Sequence, residues 1–357
     1  MTRIAIDVQT TKAAKTGLGF YVANLTRELP RVAPEYNFQF IAPDRLGDLN
    51  MPRRLYWDQV GFPWQARGAE LIHQPAFSTP LMTGRSKVVV TVHDLISLIY
   101  RDLPFWPTQY FCRWMPFTHR FADHMIADSE ATKRDIIRFL GLPEEKITVV
   151  HLASDPNFKP VTDRAKIASV MKTYHIPGPY IVHIGTLNPR KNLEFLVRVF
   201  GRIAAKFPDV SLVISGNKGW YYERIVVQAE KLGLANRVIL TGYVAEADAP
   251  VLLGGAEAMT FPSLYEGFGL PPLEAMASSV PVISSNASSL PEVIGDAGLL
   301  VSPTDEEGWA SALTDVLQQS DLRAKLVERG LRQAKKFSWE KTARETVAVY
   351  QKIFGEA

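Results

Sequence analysis

Two glutamates, Glu266 and Glu274, stand on either side of a turn that contains two glycines. The turn, Gly267 to Gly269, follows an apolar run at residues 256–261, which predicts a buried strand. A helix is predicted to begin at Pro271 or at the next proline, because proline is tolerated in the first turn of a helix. Backbone N–H groups at such a turn and helix start are free to bind an anion, and phosphate is the usual ligand.

The two carboxylates restrict the rest of this ligand. Neither can face a phosphate without repulsion, whereas both can accept strong hydrogen bonds from neutral hydroxyl groups. A ligand with hydroxyls on both sides of a phosphate is a nucleotide sugar, and we assign Glu274 to the ribose and Glu266 to the transferred sugar. The competing interpretation is that Glu266 caps a loop and that Glu274 is an exposed carboxylate favoured by the helix dipole.

Two adjacent cations, Arg190 and Lys191, follow the strand predicted for residues 180–184 and Gly185, and they lie where a helix begins. A pair of cations at this junction suits a diphosphate. The alternative is a solvated basic pair, but the dipole of a helix disfavours cations at its start. The sequence contains no Asp-x-Asp motif of the kind that holds a metal-bound diphosphate. We therefore expect no metal site and no cofactor beyond the substrate.

Apolar strands alternate with helical segments along the whole chain, which predicts parallel, doubly wound sheets. Ligands of such sheets bind at the carboxyl ends of the strands. His93 and Asp94 stand at one strand end, although a histidine there is also explained by a local carboxylate partner. Further strand ends are predicted at Gly216 and at the turn that includes Tyr243 and Val244.

The first strand is followed by a loop with Gly17 and Gly19. A dinucleotide-binding loop would need a third glycine near Val22 and an acidic residue about twenty positions later. Neither is present, so a dehydrogenase is improbable.

Composition indicates an ordinary folded protein. The 357 residues suggest two domains, 46% of them are hydrophobic, and the formal net charge is +3. No apolar run is long enough to span a membrane, and the first residues carry no secretory signal pattern. The single cysteine, Cys112, excludes an internal disulfide framework and suits a cytosolic protein.

The segment Glu266-Gly-Phe-Gly-Leu-Pro-Pro-Leu-Glu274-Ala-Met-Ala resembles the donor-site signature of the family 4 retaining glycosyltransferases of the GT-B fold. The continuations Pro281-Val-Ile-Ser-Ser and Ser289-Leu-Pro-Glu-Val-Ile-Gly-Asp-Ala-Gly fit as well. The resemblance extends over nearly the whole chain. One departure is Ser278-Ser279, where the family usually has Cys-Gly.

The resemblance implies two Rossmann-like domains that face each other across a cleft. We place the acceptor domain at 1–170, the donor domain at 171–338 and a helix that crosses back at 339–357. The implied catalytic residues are His93, Glu266, Arg190 and Lys191. The implied donor-binding residues are Gly17, Gly19, Asp94, Gly185, Gly216, Tyr243, Val244, Gly267, Phe268, Gly269, Leu270 and Glu274.

Two further segments, Tyr56-Trp-Asp-Gln and Val92-His-Asp-Leu, resemble those of bacterial polysaccharide mannosyltransferases. The resemblance thus implies retaining transfer from GDP-mannose to a lipid-linked or oligosaccharide acceptor, and no nucleic acid partner. A UDP-sugar donor is the nearest alternative, followed by a nucleotide-sugar epimerase of the same fold. A retaining glycosidase that uses Glu266 and Glu274 would leave Arg190 and Lys191 unexplained, and a non-catalytic sugar-nucleotide sensor would only bind.

Residues 103–121 combine seven aromatic residues with Arg113 and Arg120. One interpretation is an amphipathic core helix. The other is a surface that touches a lipid-linked acceptor or a membrane. The excess of 21 lysines and arginines over 17 acidic residues in residues 1–170 agrees weakly with the second. We therefore expect a cytoplasmic protein with a possible peripheral contact on the inner membrane.

Overall fold

The computed structural model describes residues 1–12, 17–44, 49–100, 105–217 and 222–355, without the side chains of residues 105 and 106. The chain divides into two compact units. The first comprises Met1–Ala153 and Phe337–Ala357, and the second comprises Ser154–Lys336. Residues 154–170, which the sequence analysis assigned to the first domain, are part of the second unit.

The sheet of the first unit is parallel, with six strands among the described residues in the order β2-β1-β3-β4-β5-β6. Its strands are apolar and mostly buried, as expected for a sheet covered on both faces. They are β1 (Arg3–Asp7), β2 (Asn37–Ile41), β3 (Leu71–Gln74), β4 (Lys87–Val92), β5 (His124–Ala127) and β6 (Ile147–Val149).

Helices connect these strands. The α-helices are Gly17–Val32, Met51–Tyr56, Phe62–Gln65, Ile96–Ile99, Phe105–Gln109, Met115–His119, Glu130–Asp135 and Trp339–Phe354. The π-helical segments are Trp57–Gly61, Tyr110–Trp114 and Ile136–Leu140, and the 3₁₀ segments are Gln9–Lys12 and Glu144–Lys146.

The last helix, Trp339–Phe354, packs in the first unit against the helix Gly17–Val32. Ser338 caps it, since its side chain accepts a hydrogen bond from the N–H of Lys341. The hydroxyl of Tyr350 lies 2.7 Å from Nδ1 of His73 on β3. Buried contacts of this kind fix the C-terminal segment to the first sheet.

The second unit repeats the architecture, with six described parallel strands in the order β12-β11-β10-β7-β8-β9. Buried Trp309 packs edge-on against Phe195 in its core. The strands are β7 (Tyr180–Ile184), β8 (Ser211–Ser215), β9 (Val238–Gly242), β10 (Ala258–Phe261), β11 (Val282–Ser285) and β12 (Leu299–Val301).

Helices also cover this sheet. They are Arg164–Thr173, Leu193–Ile203, Tyr222–Lys231, Ala249–Gly254, Leu270–Ala277, Leu290–Ile294, Glu306–Gln318, Ser320–Ala334 and the 3₁₀ turn Pro189–Lys191. The predicted doubly wound α/β architecture is therefore confirmed for both units. Among the described residues, no helix is long and apolar enough to cross a bilayer.

The helix Leu270–Ala277 ends in a left-handed residue that is not glycine. The N–H of Val280 donates to the carbonyl oxygen of Ala275, and the N–H of Ser279 donates to that of Met276. This Schellman motif places Ser279 at a φ of 62°. Ser279 is the position at which the resembled family usually carries glycine, so the departure leaves a serine in a strained conformation.

We predict that Ser279→Gly raises the free energy of unfolding by about 0.5 to 1 kcal/mol, because glycine adopts the left-handed conformation without steric cost. Urea unfolding followed by circular dichroism measures the change. Ala277→Gly, inside the same helix, is the matched control and should lower the free energy of unfolding by a similar amount. A Ser279→Gly variant that is no more stable than the wild type contradicts the argument.

Candidate functional site

The loop that carries Glu266 is held by two serines from the segment before the helix Leu290–Ile294. The N–H of Glu266 donates to the hydroxyl of Ser288 at 2.8 Å. The hydroxyl of Ser289 lies 2.7 Å from the carbonyl oxygen of Phe268 and 3.0 Å from that of Glu266. The loop is thereby fixed before any ligand binds.

Gly269 joins this loop to the helix Leu270–Ala277. Its φ is 116°, and a Cβ atom there would lie 2.9 Å from Cδ2 of Leu290. Both the conformation and the close approach require glycine. The predicted strand, glycine turn and helix are therefore present, with the helix beginning at Leu270, one residue before the predicted start.

Glu266, Arg190 and Lys191 form one cluster. Oε1 of Glu266 accepts hydrogen bonds from Nζ of Lys191 at 2.6 Å and lies 2.7 Å from Nη1 of Arg190. Burial alone would raise the pKa of Glu266, but the charges of Lys191 and Arg190 outweigh it and hold the pKa at about 2. The side chain of Glu266 is only 11% exposed, so this is a partly desolvated and strongly coupled group of charges.

The backbone keeps the basic turn Pro189–Lys191 against the loop. The N–H of Leu264 donates to the carbonyl oxygen of Arg190 at 2.8 Å, and Nη1 of Arg190 lies 2.6 Å from the carbonyl oxygen of Tyr265. Nζ of Lys191 lies 4.5 Å from the ring centroid of Phe261, in a cation–π contact. These contacts bring together two sequence segments about 75 residues apart.

The ends of three strands meet beside this cluster. The N–H of Gly185 donates to the carbonyl oxygen of Ser215, and the N–H of Gly216 donates to that of Gly242. A Cβ atom at Gly216 would lie 1.9 Å from the carbonyl oxygen of Gly185, which leaves no space for a side chain. This close approach explains Gly216, whereas a Cβ atom at Gly185 would meet side chains, with Cε of Lys191 at 3.3 Å. Of the residues after β9, Tyr243 is exposed and Val244 is buried.

Glu274 lies in the helix Leu270–Ala277 and is partly buried. Burial raises the pKa of Glu274 to about 8, and the carboxylate of Asp155 contributes in the same direction. The raised pKa favours the protonated form of Glu274, which can donate as well as accept a hydrogen bond. The sequence analysis did not single out Asp155, which lies in a proline-punctuated passage without a recognisable motif.

His93, in the first unit, has acceptors at both ring nitrogens. Nδ1 lies 2.6 Å from Oδ2 of Asp128, and Nε2 lies 2.8 Å from the carbonyl oxygen of Pro75. A carboxylate and a carbonyl only accept, so each ring nitrogen carries a proton and the ring is a cation. Burial favours the neutral ring, but Asp128, Pro75 and Asp94 outweigh it and raise the pKa of His93.

Neighbouring side chains also hold His93 in a fixed position. The ring of Tyr21 stands edge-on to the imidazole at 4.8 Å, and the hydroxyl of Thr132 donates to the carbonyl oxygen of His93 at 3.2 Å. Oδ1 of Asp94 accepts from the N–H of Ile96. A doubly protonated histidine is a hydrogen-bond donor and a positive charge, and it is not available as a base.

Two glycines begin the helix Gly17–Val32. A Cβ atom at Gly19 would lie 2.9 Å from the carbonyl oxygen of Thr10, whereas one at Gly17 would meet nothing within 4 Å. Gly19 is required for packing, and Gly17 is not.

Two family models match the chain. One described as "Glycosyltransferase Family 4" matches residues 15–158, and one described as "Glycosyl transferases group 1" matches residues 175–333. O-antigen chain mannosyltransferase B of Escherichia coli is 32% identical over 289 residues, which cover 79% of this chain and 74% of that protein. The chain belongs to the family 4 glycosyltransferases.

Two other similarities bear on this glycosyltransferase. Serotype-specific mannosyltransferase WbdA of Escherichia coli is 29% identical over 267 residues, 72% of this chain, but these cover only 32% of WbdA. The structure of Anabaena Alr3699/HepE in complex with UDP and glucose has a TM-score of 0.77 at 18% identity, covering 99% of this chain and 100% of that one. The glycosyltransferase therefore has the GT-B fold.

We predict that His93 titrates above its ordinary value of about 6.5 and that Asp128→Asn lowers its pKa by about one unit or more. Because the folded pKa is raised, the ion pair stabilises the folded state fully below about pH 6.5 and ceases to do so as pH rises through the folded pKa. NMR of the imidazole protons measures the titration, with the resonance assigned by its loss in His93→Gln.

The control is Glu144→Gln, an exposed carboxylate of the same unit, which should leave the titration of His93 unchanged. If His93 of the wild type titrates below its ordinary value, the doubly protonated ring is excluded.

Proposed function

We propose that this glycosyltransferase transfers a hexose, mannose from GDP-mannose, with retention of configuration to a lipid-linked or oligosaccharide acceptor of a bacterial surface polysaccharide. The observation that carries the proposal is the cluster in which Glu266 pairs with Arg190 and Lys191 beside a glycine turn and a helix start. A diphosphate binds to these cations and to backbone N–H groups, and sugar hydroxyls bind to the carboxyl groups.

The names of the relatives support mannose. O-antigen chain mannosyltransferase B and WbdA are both named as mannosyltransferases. The complex of HepE with UDP and glucose supports the alternative of a UDP-sugar donor on the same fold. The base and the sugar are therefore the parts of the proposal that an experiment must separate.

The proposed chemistry needs no enzymic nucleophile. The bond from the sugar C1 to the phosphate oxygen breaks, and the acceptor oxygen bonds to C1 on the same face. The acceptor proton passes to the departing phosphate oxygen. Arg190, Lys191 and the N–H groups at the start of the helix Leu270–Ala277 stabilise the charge of the diphosphate, which is the role a metal ion plays elsewhere. His93 contributes a positive charge, since both of its ring N–H groups already donate to Asp128 and Pro75.

An exposed aromatic surface of the first unit supports peripheral contact with a membrane. Within residues 103–121, of which 103 and 104 lie outside the described residues, Phe117 and Phe121 are 47% and 58% exposed and Trp114 is partly buried. Tyr56 and Trp64, in the helical residues 51–65, are 64% and 60% exposed. Aromatic side chains with this exposure suit the interface of a bilayer.

Hydrogen bonds join residues 49–69, 75–86 and 105–121, which together we call the aromatic layer. Gln59 donates to the carbonyl oxygen of Thr79, and the hydroxyl of Thr79 lies 2.9 Å from Nδ1 of His119. Within the helical residues 51–65, Asp58 is fully buried and accepts hydrogen bonds from the hydroxyls of Tyr110 and Ser78.

The charges of this aromatic layer favour an anionic partner. In residues 49–69, 75–86 and 105–121, Asp58 is the one acidic residue, and it is buried. The exposed arginines of these ranges are Arg53, Arg67, Arg85, Arg113 and Arg120. A second copy of the same surface would bring like charges together, whereas the cytoplasmic face of an inner membrane offers anionic headgroups and an apolar interior.

We expect one nucleotide series, with GDP-mannose preferred over UDP-glucose, to raise the melting temperature, and Arg190→Ala and Glu274→Ala to lose the response. At a ligand concentration of 100 times the Kd, binding stabilises by about 2.7 kcal/mol, which shifts Tm by several degrees. A thermal-shift panel measures this, with Arg332→Ala, an exposed arginine of the same unit, as the control.

Measurements of the transfer reaction, with donor and acceptor present, then test the mechanism. The product anomer, determined by NMR, should match the donor anomer, and EDTA should not reduce the rate. An inverted product excludes retention, and loss of rate in EDTA excludes metal independence. Turnover of donor without acceptor favours the epimerase. If no nucleotide sugar shifts Tm, or the variants respond like the wild type, the assignment of Glu266 and Glu274 is wrong.

We predict that the wild type sediments with vesicles that contain phosphatidylglycerol and that the variant Trp64→Ser/Phe121→Ser binds them several-fold less. Added salt should also weaken binding, since arginine–headgroup attraction is screened. Phe40→Ser, an exposed phenylalanine of the same unit on β2, is the matched control. Equal sedimentation of both variants and the wild type would exclude the aromatic layer as the membrane contact.

A further inference from the structure

His183 lies in β7, in the interior of the second sheet, and its side chain is fully buried. Nδ1 lies 3.0 Å from the carbonyl oxygen of Thr260 on the neighbouring strand β10. Since a carbonyl oxygen only accepts, Nδ1 carries the proton. Burial and the positive charge of Lys191 lower the pKa of His183 to about 3, so the ring is neutral and Nε2 is an acceptor.

This acceptor is unused in the described part of the chain. Nε2 of His183 is buried and has no hydrogen-bond partner there. A buried acceptor without a donor destabilises a fold, so such a group calls for a physical explanation. A phenylalanine would pack against Phe261 equally well, because the His183 ring is already stacked on that ring at 5.4 Å.

The unused nitrogen lies near Lys191, whose charge acts on the His183 ring. A Cβ atom built on Gly185 would lie 3.5 Å from Nε2 of His183 and 3.5 Å from Nζ of Lys191. Both nitrogens therefore border the one small space that the glycine leaves open. The ring of Phe261 supports both, since it stacks on His183 and contacts the ammonium group.

The ammonium group is engaged with Glu266 in this structure, at 2.6 Å from Oε1. The same oxygen also forms an ion pair with Arg190. When a diphosphate draws Lys191 away from this oxygen, Oε1 becomes available to a sugar hydroxyl, and the ammonium group can take another acceptor. An acceptor beside Lys191 that carries no charge would hold the ammonium group without neutralising it.

We propose that His183 is a positioning residue that accepts a hydrogen bond from Lys191 when the donor diphosphate binds, so that Glu266 is released for the sugar. This inference rests on the proposed function, because it assumes that a diphosphate binds to Arg190 and Lys191. It adds a residue that neither the motif nor the glycine turn contains.

The test compares His183→Leu with His183→Gln, whose amide oxygen can still accept. We expect His183→Leu to weaken binding of GDP and UDP about tenfold and to leave binding of GMP and UMP within about twofold, as one hydrogen bond is lost at the diphosphate. We expect His183→Gln to stay within about threefold of the wild type for all four. Titration calorimetry measures the dissociation constants, and steady-state kinetics should show a raised KM for the donor.

Two controls separate positioning from stability. His124→Leu removes another buried strand histidine, from β5 of the first unit, and should not change nucleotide affinity. In a Lys191→Met background, His183→Leu should have no further effect, because the partner of Nε2 is gone. His183→Phe, which preserves the stacking on Phe261, replaces the leucine variant if that variant does not fold.

The outcomes are distinguishable. If the wild type binds no nucleoside diphosphate, the proposed function fails. If the wild type binds GDP or UDP and His183→Leu binds it equally well, this inference is overturned while the proposed function stands. An effect of equal size on GMP, or one that persists in Lys191→Met, also overturns it.

Discussion

The carboxylate of Glu266 is shared by two cations, and the local structure of the second unit keeps all three groups in place. Ser288 and Ser289 fix the loop, the backbone of Leu264 ties it to the basic turn, and Gly216 lets the strand ends approach. Such a buried cluster is stable only when all three charged groups are present, because removing one of them leaves an uncompensated charge. The serines and glycines therefore matter as much as the charged residues.

The first unit follows the same principle with different residues. His93 is held by a carboxylate at one nitrogen and a carbonyl at the other, and it is placed where β4 ends. Its proton is fixed by acceptors that belong to the fold and not to a ligand. Both units thus present charge in a prearranged geometry at the carboxyl ends of parallel strands, where little reorganisation is needed during reaction.

Sequence reasoning succeeded where one local pattern decides the structure. The alternation of strands and helices and the glycine turn after residue 261 are of this kind. It missed Asp128, Asp155 and His183, because each acquires its role only through a tertiary contact with a residue far along the chain. It also took Glu274 to be an anion, and only burial, which no local pattern reports, reveals its proton.

That proton has an electrostatic consequence for ligand choice. Among the donor-binding residues that we propose, Glu266 already offsets one of the two cations, and an ionised Glu274 would add a second negative charge that opposes a diphosphate. With Glu274 protonated, the two positive charges of Arg190 and Lys191 exceed the one negative charge of Glu266, the carboxylate that pairs with them. A hydroxyl-binding carboxyl group that stays neutral until its ligand arrives can recognise a sugar or ribose without repelling the phosphates attached to it. Burial of Glu274 therefore reconciles two carboxyl groups with an anion site.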